Sequence, residues 1–156
     1  MALRLEASGA ELCWNSRYTA GPAEGVVLAT GRRPDAGSPW IGVKAHCLGL
    51  DLEADLELHL GDGGYAGASP VEDGRVNVCG LFPKEAGRGR RDASLLPDCL
   101  RACGLDGLAS RVRAAETFAD SVCAVAGMTY GQPEAPAEGA IGDRAALIPP
   151  FTGHGM

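Results

Sequence analysis

Short runs of alternating apolar and polar residues, separated by turn residues at close intervals, make up most of the chain. Leu3 to Leu5 and Glu11 to Asn15 alternate on either side of Ser8-Gly9, and Gly25 to Thr30 is a continuous small and apolar run ending at Gly31. That pattern predicts a hairpin feeding a buried strand, because a strand covered on both faces reads as unbroken apolar sequence. Gly37, Ser38 and Pro39 then punctuate the chain before four further runs, Ile41 to Leu48, Asp55 to Leu60, Tyr65 to Val71 and Arg75 to Phe82. These predict an antiparallel sheet that turns at Gly61-Asp62-Gly63-Gly64 and at Glu72-Asp73-Gly74. The spacing changes at Leu95, Leu96, Cys99, Leu100 and Cys103, which recur at helical period with Gly104 placed to close the helix; Leu108 to Ala115 predicts a second short one. Ser121 to Met128 reads as another strand, Gly131 to Gly139 as a Pro/Glu/Ala linker, and Ala140 to Met156 returns to apolar, Gly-rich texture. No internal repeat is present.

Composition narrows the class. A length of 156 residues with 46% hydrophobic and 22% charged residues predicts one soluble globular domain. Gly at 23 and Pro at 10 stay below low-complexity levels, so they predict many turns and short strands instead. A formal charge of -6 argues against a nucleic-acid partner, since phosphate-backbone binders carry a basic excess. Met1 to Trp14 holds no apolar segment of signal-peptide length and no run approaches a membrane span, which predicts a cytoplasmic protein with no integral membrane segment.

Cys13, Cys47, Cys79, Cys99, Cys103 and Cys123 form no CxxC pair, which argues against a metal site and predicts reduced thiols packed like small hydrophobes. Gly87-Arg88-Gly89-Arg90-Arg91 reads as a solvated basic loop, with a phosphate patch as its alternative. Gly61-Asp62-Gly63-Gly64-Tyr65-Ala66 fits G-x-G-x-x-A after a strand, yet the next four residues include Gly67, Ser69 and Pro70 and head into another strand. A dinucleotide fingerprint must open a helix, so a hairpin turn is the expectation.

Two segments are more specific together than apart: Val26-Val27-Leu28-Ala29-Thr30-Gly31-Arg32-Arg33, and Ile141-Gly142-Asp143-Arg144 leading to Pro149-Pro150-Phe151-Thr152-Gly153-His154-Gly155-Met156. In this order, with a sheet-rich stretch between them, they resemble the flavoprotein monooxygenase and geranylgeranyl reductase superfamily, FAD enzymes with a p-hydroxybenzoate hydroxylase-like fold. The succession Gly42 to His46, Leu56 to Leu60, Gly63 to Pro70 and Gly74 to Cys79 looks like the substrate-domain sheet of its geranylgeranyl reductase-like branch.

The resemblance implies an α+β fold: an antiparallel substrate-domain sheet with short helices, flanked by remnants of an α/β FAD-binding domain. Residues 1–36 correspond to the late FAD domain, 37–130 to the substrate domain, and 131–156 to the return into the FAD domain. FAD is the implied cofactor, with NAD(P)H as candidate reductant. Gly142, Asp143, Pro150, Thr152, Gly153, His154, Gly155 and Met156 are the implied cofactor-binding residues. Asp143 would accept hydrogen bonds from ribityl hydroxyls, and the loop after Pro149 would lie beside the isoalloxazine; a structural turn role for Asp143 and a base role for His154 stay open. No catalytic residue is assigned, and Lys44, His46 and His59 read as sheet-face residues.

The chain departs from the pattern where prenyl reductases often carry aromatics and it has Gly67 and Ser69, which points away from a long prenyl substrate. It departs again at Arg144, where a small residue usually follows Gly-Asp, and it lacks the G-x-G-x-x-G segment and the closing helix. The expectation is a fragment of an FAD-dependent oxidoreductase or monooxygenase, moving a hydride or electrons through flavin to or from a small apolar organic substrate. A non-catalytic ligand- or partner-binding domain derived from such an enzyme is the alternative. The apolar Val26 to Thr30 strand, if uncovered, predicts homo-oligomerisation or a need for complementary segments.

Overall fold

Turn chemistry sets the frame of the sheet. In the computed structural model, which describes residues 2–32, 34–87, 89, 92–128, 130 and 139–147, strand β1 spans Trp40–Leu48, β2 Glu57–Gly61, β3 Gly64–Pro70 and β4 Arg75–Pro83. Asp62 and Gly63 make the two-residue turn between β2 and β3, where Gly61 pairs with Gly64 and Gly63 sits at φ +65°. The G-x-G-x-x-A segment is therefore a hairpin, as its Gly67, Ser69 and Pro70 require. At the next turn both Asp73 (φ 61°) and Gly74 (φ 68°) are left-handed, a conformation that Asp tolerates and Gly adopts freely.

All pairings in the sheet are antiparallel, in the order β2-β3-β4-β1-β5, with β5 at Glu116–Thr117 and β6 at Cys123–Ala126. Both late strands lie along the same edge of β1: β5 opposite Cys47 and Leu48, β6 opposite Ile41 to Lys44. Register divides the residues between two faces. Val43, Ala45 and Cys47 of β1, Val76, Val78 and Phe82 of β4, and Ala66 and Ala68 of β3 are buried together on one of them.

Helices α2 (Leu95–Ala102) and α3 (Asp106–Ala114) close that face with Leu95, Leu96, Cys99, Leu100, Leu108, Ala109 and Val112. Gly104 at φ +73° ends α2 where its spacing predicts, while the Leu105 amide bonds back to Leu100 O at 2.9 Å. Small residues let the layers close: a Cβ on Gly80 would lie 2.4 Å from Phe82 Cζ and 2.5 Å from Tyr65 O, and one on Gly64 would lie 2.7 Å from Cys103 Sγ. Glu57 of edge strand β2 points to the same side. It holds Arg111 of α3 at 2.8 and 3.0 Å and His59 Nε2 at 2.8 Å, tying the edge to the helix layer.

The N-terminal part differs from its sequence pattern. Residues Ala2–Ala7 form a helix, α1, and no hairpin stands there. Leu3-Arg4-Leu5 alternates over only three positions within a run of good helix formers, and Ser8 Oγ and Gly9 at φ +81° end the turn. Val26 to Thr30 likewise does not form a ladder: Leu28 makes one bridge, parallel to Ala140. A segment with one partner residue has no register to propagate.

The cysteines also divide. Cys47, Cys99 and Cys103 are buried as expected, but Cys13, Cys79 and Cys123 are exposed, the last two because their strand positions fall on the uncovered side of the pleat. All six are free thiols. Burial pushes the Cys99 thiol up to about 11, which keeps it protonated. In the basic loop, Lys84–Gly87 form a 3-10 turn, while Arg88, Arg90 and Arg91 lie outside the described residues.

Two segments that lead into and out of the sheet run side by side. Arg32 donates to Gly127 O at 2.8 Å, the Asp35 amide to the same carbonyl at 3.0 Å, and Ser38 Oγ to Met128 O at 2.6 Å. Gly127, at φ +71°, has no room for a side chain, since a Cβ would lie 2.9 Å from Asp35 O.

Candidate functional site

No described helix covers the second face of the sheet. Strand alternation places Trp40, Gly42, Lys44, His46 and Leu48 of β1 there, beside Leu81, Cys79, Asn77 and Arg75 of β4, Tyr65, Gly67 and Ser69 of β3, and Leu58 and Leu60 of β2. The face has two chemically distinct ends. At one, Trp40, Tyr65, Leu81 and Tyr130 surround an apolar cleft of about 290 Å³ floored by Gly63 and Gly64. Burial pushes the Tyr65 phenol up to about 12 and raises that of Tyr130, so both remain neutral donors through the physiological range. Between the ends, Met128 Cε takes the space above Gly42, where a Cβ would come within 2.9 Å.

At the other end an open cavity of about 600 Å³ is lined by Lys44, His46, Arg75, Phe118, Ala119, Asp120, Ser121 and Cys123. The turn after β5 forms its wall; two hydrogen bonds tie that turn to β1 and a third closes the turn on itself. The His46 amide donates to Ser121 Oγ at 2.8 Å, Ser121 Oγ donates to Phe118 O at 2.6 Å, and the Phe118 amide donates to His46 O at 3.1 Å. The Arg75 guanidinium lies over the Phe118 ring, 4.3 Å from its centroid. Asp73 reaches it at 4.0 Å, and Lys44 and Asp120 have no ion pair among the described residues. Asn77 Oδ1, on the same face, is buried without a hydrogen-bond partner.

Lys44 and His46 thus lie on a sheet face, as their strand positions predict, while His59 lies on the opposite side, bound to Glu57. Arg75, Phe118, Asp120 and Ser121 are additions that the sequence pattern does not single out. Their meeting with Lys44 depends on the pairing of β1 with β4 and with β5 and β6, contacts between segments far apart in the chain. The only local signal is parity: Arg75, Asn77 and Cys79 share one side of β4, and the turn at 72–74 fixes that side relative to β3.

Of the implied cofactor residues, Gly142 and Asp143 are described. They open a 3-10 turn, Gly142–Arg144, immediately after the parallel bridge of Ala140 with Leu28. The Leu28 amide donates to Gly139 O at 2.8 Å and the Ile141 amide to Leu28 O at 3.0 Å. Gly142 has φ +59° with open space where a side chain would stand, and Asp143 is exposed with no partner among the described residues. Arg144 is half-buried, its Nε without a partner. Pro150, Thr152, Gly153, His154, Gly155 and Met156 lie outside the described residues. The cluster of His, Cys, Asp and Glu that a metal ion would need is absent among the described residues.

No family model and no curated protein matches the chain. Among solved structures it is similar to a point variant of HpxO from Klebsiella pneumoniae complexed with FAD, at 18% identity and a TM-score of 0.54 over 75% of this chain. A structure of HpxO complexed with FAD and uric acid gives 15% identity and a TM-score of 0.49. The chain spans about a third of the length of either, 32%. At such identity the likeness is one of fold: an α+β arrangement of an antiparallel sheet and short helices, similar to a fragment of a protein that holds FAD.

Proposed function

We propose that the chain is the substrate-domain portion of an FAD-dependent oxidoreductase or monooxygenase, with the uncovered face of its sheet forming one wall of a small-molecule site. The observation that carries this reading is the parallel bridge between Leu28 and Ala140. It joins the two segments that flank the sheet and sets the Gly142-Asp143 turn directly after the junction, as expected if both segments belong to one α/β unit that the sheet interrupts. The paired connections at Arg32 to Ser38 and Gly127 to Met128 support the same division, near residues 36 and 130. The fold likeness to an FAD complex agrees with it.

The exposed Asp143 carboxylate and the open backbone at Gly142 fit a polyhydroxyl chain: the carboxylate accepts from hydroxyls, and the missing side chain lets them approach. Pro150, Thr152, Gly153, His154, Gly155 and Met156 belong to the same proposed flavin contact. Bound flavin would supply the hydride or electron transfer, and the protein the orientation and electrostatics. The geranylgeranyl reductase-like branch and NAD(P)H as reductant are finer parts of this proposal, resting on the motif succession alone. A cytoplasmic location goes with it; no described helix is long and apolar enough to cross a membrane.

A second reading, a ligand-binding domain without catalysis, is favoured by one feature: the buried core cluster draws only on residues from Val43 to Val112, so the sheet and its helices close without the flanking segments. Titration of the chain with FAD, followed by flavin fluorescence, separates the two. Saturable quenching that Asp143→Ala weakens about tenfold, the loss expected for hydrogen bonds to a charged acceptor, supports the flavin reading. Absence of quenching at about 100 μM FAD contradicts it for this polypeptide.

A further inference from the structure

We infer that the free edge of β2 is a self-association surface, which pairs antiparallel with β2 of a second copy of this chain about a twofold axis at Leu58. Among the described residues β2 has a strand partner on one side only, β3. The register fixes what the other side offers. Gly61 and Gly64 close a two-residue hairpin and so exchange hydrogen bonds, as do His59 with Ala66 and Glu57 with Ala68; the amides and carbonyls of Leu58 and Leu60 therefore point away from β3. The Asp62 amide, of the same parity, bonds away from β3 as well, to Cys103 O at 2.8 Å. The side chains along this edge are apolar: Leu56, just before the strand, Leu58 and Leu60 are 50%, 67% and 83% exposed, in one row on the uncovered face. Neither Lys nor Pro, which blunt an edge, occurs between residues 55 and 62, and Glu57 is turned to the helix layer, where Arg111 holds it.

The order Leu56-Glu57-Leu58-His59-Leu60 identifies the occupant, because it is complementary to itself when reversed. With Leu58 opposite its own copy, Leu56 of each chain faces Leu60 of the other, and Glu57 faces His59 of the other. Acid thus meets base on one side of the joined sheet while leucine meets leucine on its other side. Moving the axis by one residue sets Glu57 opposite Glu57 or His59 opposite His59, and either shift places one leucine against Ala54 or Asp62. Five residues per strand bury less than the about 1,200 Å² of a standard interface, so the pairing is weak, with a Kd of about 50 μM. This inference does not rest on the flavin reading, and its surface is separate from the Val26 to Thr30 segment.

Sedimentation velocity of the full chain from about 5 to 500 μM, with amide exchange followed by NMR over the same range, provides the test. Expected are a monomer–dimer equilibrium near the stated Kd and protection that rises with concentration at the Leu58 and Leu60 amides, while the His59 amide, bonded to β3, stays protected throughout. Leu60→Lys and Leu56→Glu should each weaken the dimer at least about tenfold, and the two together in one chain, which the register sets opposite each other, should recover most of that loss. Retained far-UV dichroism and unchanged shifts in α2 and α3 show that each variant is folded. A monomer at about 500 μM, an association that Leu60→Lys leaves unchanged, or no recovery in the double variant overturns the inference. So does a monomer whose Leu58 and Leu60 amides are already protected at about 5 μM, since another part of the chain would then cover the edge.

Discussion

The two faces of this sheet are built from alternate residues of the same strands, yet they obey different rules. On the covered face Val43, Ala45, Val78 and Phe82 meet the helices, and what matters is volume: glycine at 80 leaves room for the Phe82 ring. On the uncovered face Lys44, His46, Asn77 and Arg75 stand one residue away from those core positions, and what matters is charge and reach. One strand can therefore tolerate polar change at every second position and almost none between, which is how a fold keeps its core while its site varies.

The largest expected effect comes from Gly80→Val. Its added atoms would meet Tyr65 O, which as backbone cannot swing aside, so unfolding by urea should show a loss of about 3 kcal/mol or complete failure to fold. A stable variant would mean that the covered face is not packed as described.

Glu57→Gln comes next, with an expected loss of about 1 to 2 kcal/mol, held to that range because Arg111 is a third exposed and its charge is screened. Hydrogen bonds from Arg111 lower the Glu57 carboxyl from the ordinary 4.5 to about 2. A folded-state value below the unfolded one contributes stability that is fully present above about pH 4.5 and is lost as pH falls toward 2. The gap between wild type and variant should thus be level from neutral pH down to about 5 and close below it.

The smallest effect sharpens the comparison from the other side. Lys44→Gln, one residue from buried Val43 and Ala45, should change stability by no more than about 0.5 kcal/mol. Thiol labelling adds a direct readout of the faces: Cys13, Cys79 and Cys123 should react in the native chain, and Cys47, Cys99 and Cys103 only on unfolding.

Much of the covered face was legible in the sequence because its signals are local. Alternation, the Asp62-Gly63 and Asp73-Gly74 turns, and the spacing of Leu95, Leu96, Cys99 and Leu100 each predict an element within a few residues. Helix α3 starts earlier than its apolar positions indicate, since Asp106 and Gly107 occupy an exposed first turn. The cavity was less legible because Arg75 and Phe118 meet Lys44 only through pairing between distant segments. Short alternation misleads at Leu3 to Leu5, where three residues are too few to separate strand from helix, and an apolar run misleads at Val26 to Thr30, where the partners for a ladder are missing among the described residues. Gly142 and Asp143 stand in a 3-10 turn just after the Leu28–Ala140 bridge; their role toward flavin is a proposal.

Amide hydrogen exchange with and without saturating FAD tests the central claim most directly. The account predicts slowed exchange at residues 26–28 and 139–147 and along the uncovered face of β1 and β4, with α2 and α3 unchanged behind the sheet. No slowing at residues 139–147, or protection confined to the helix layer, would contradict it.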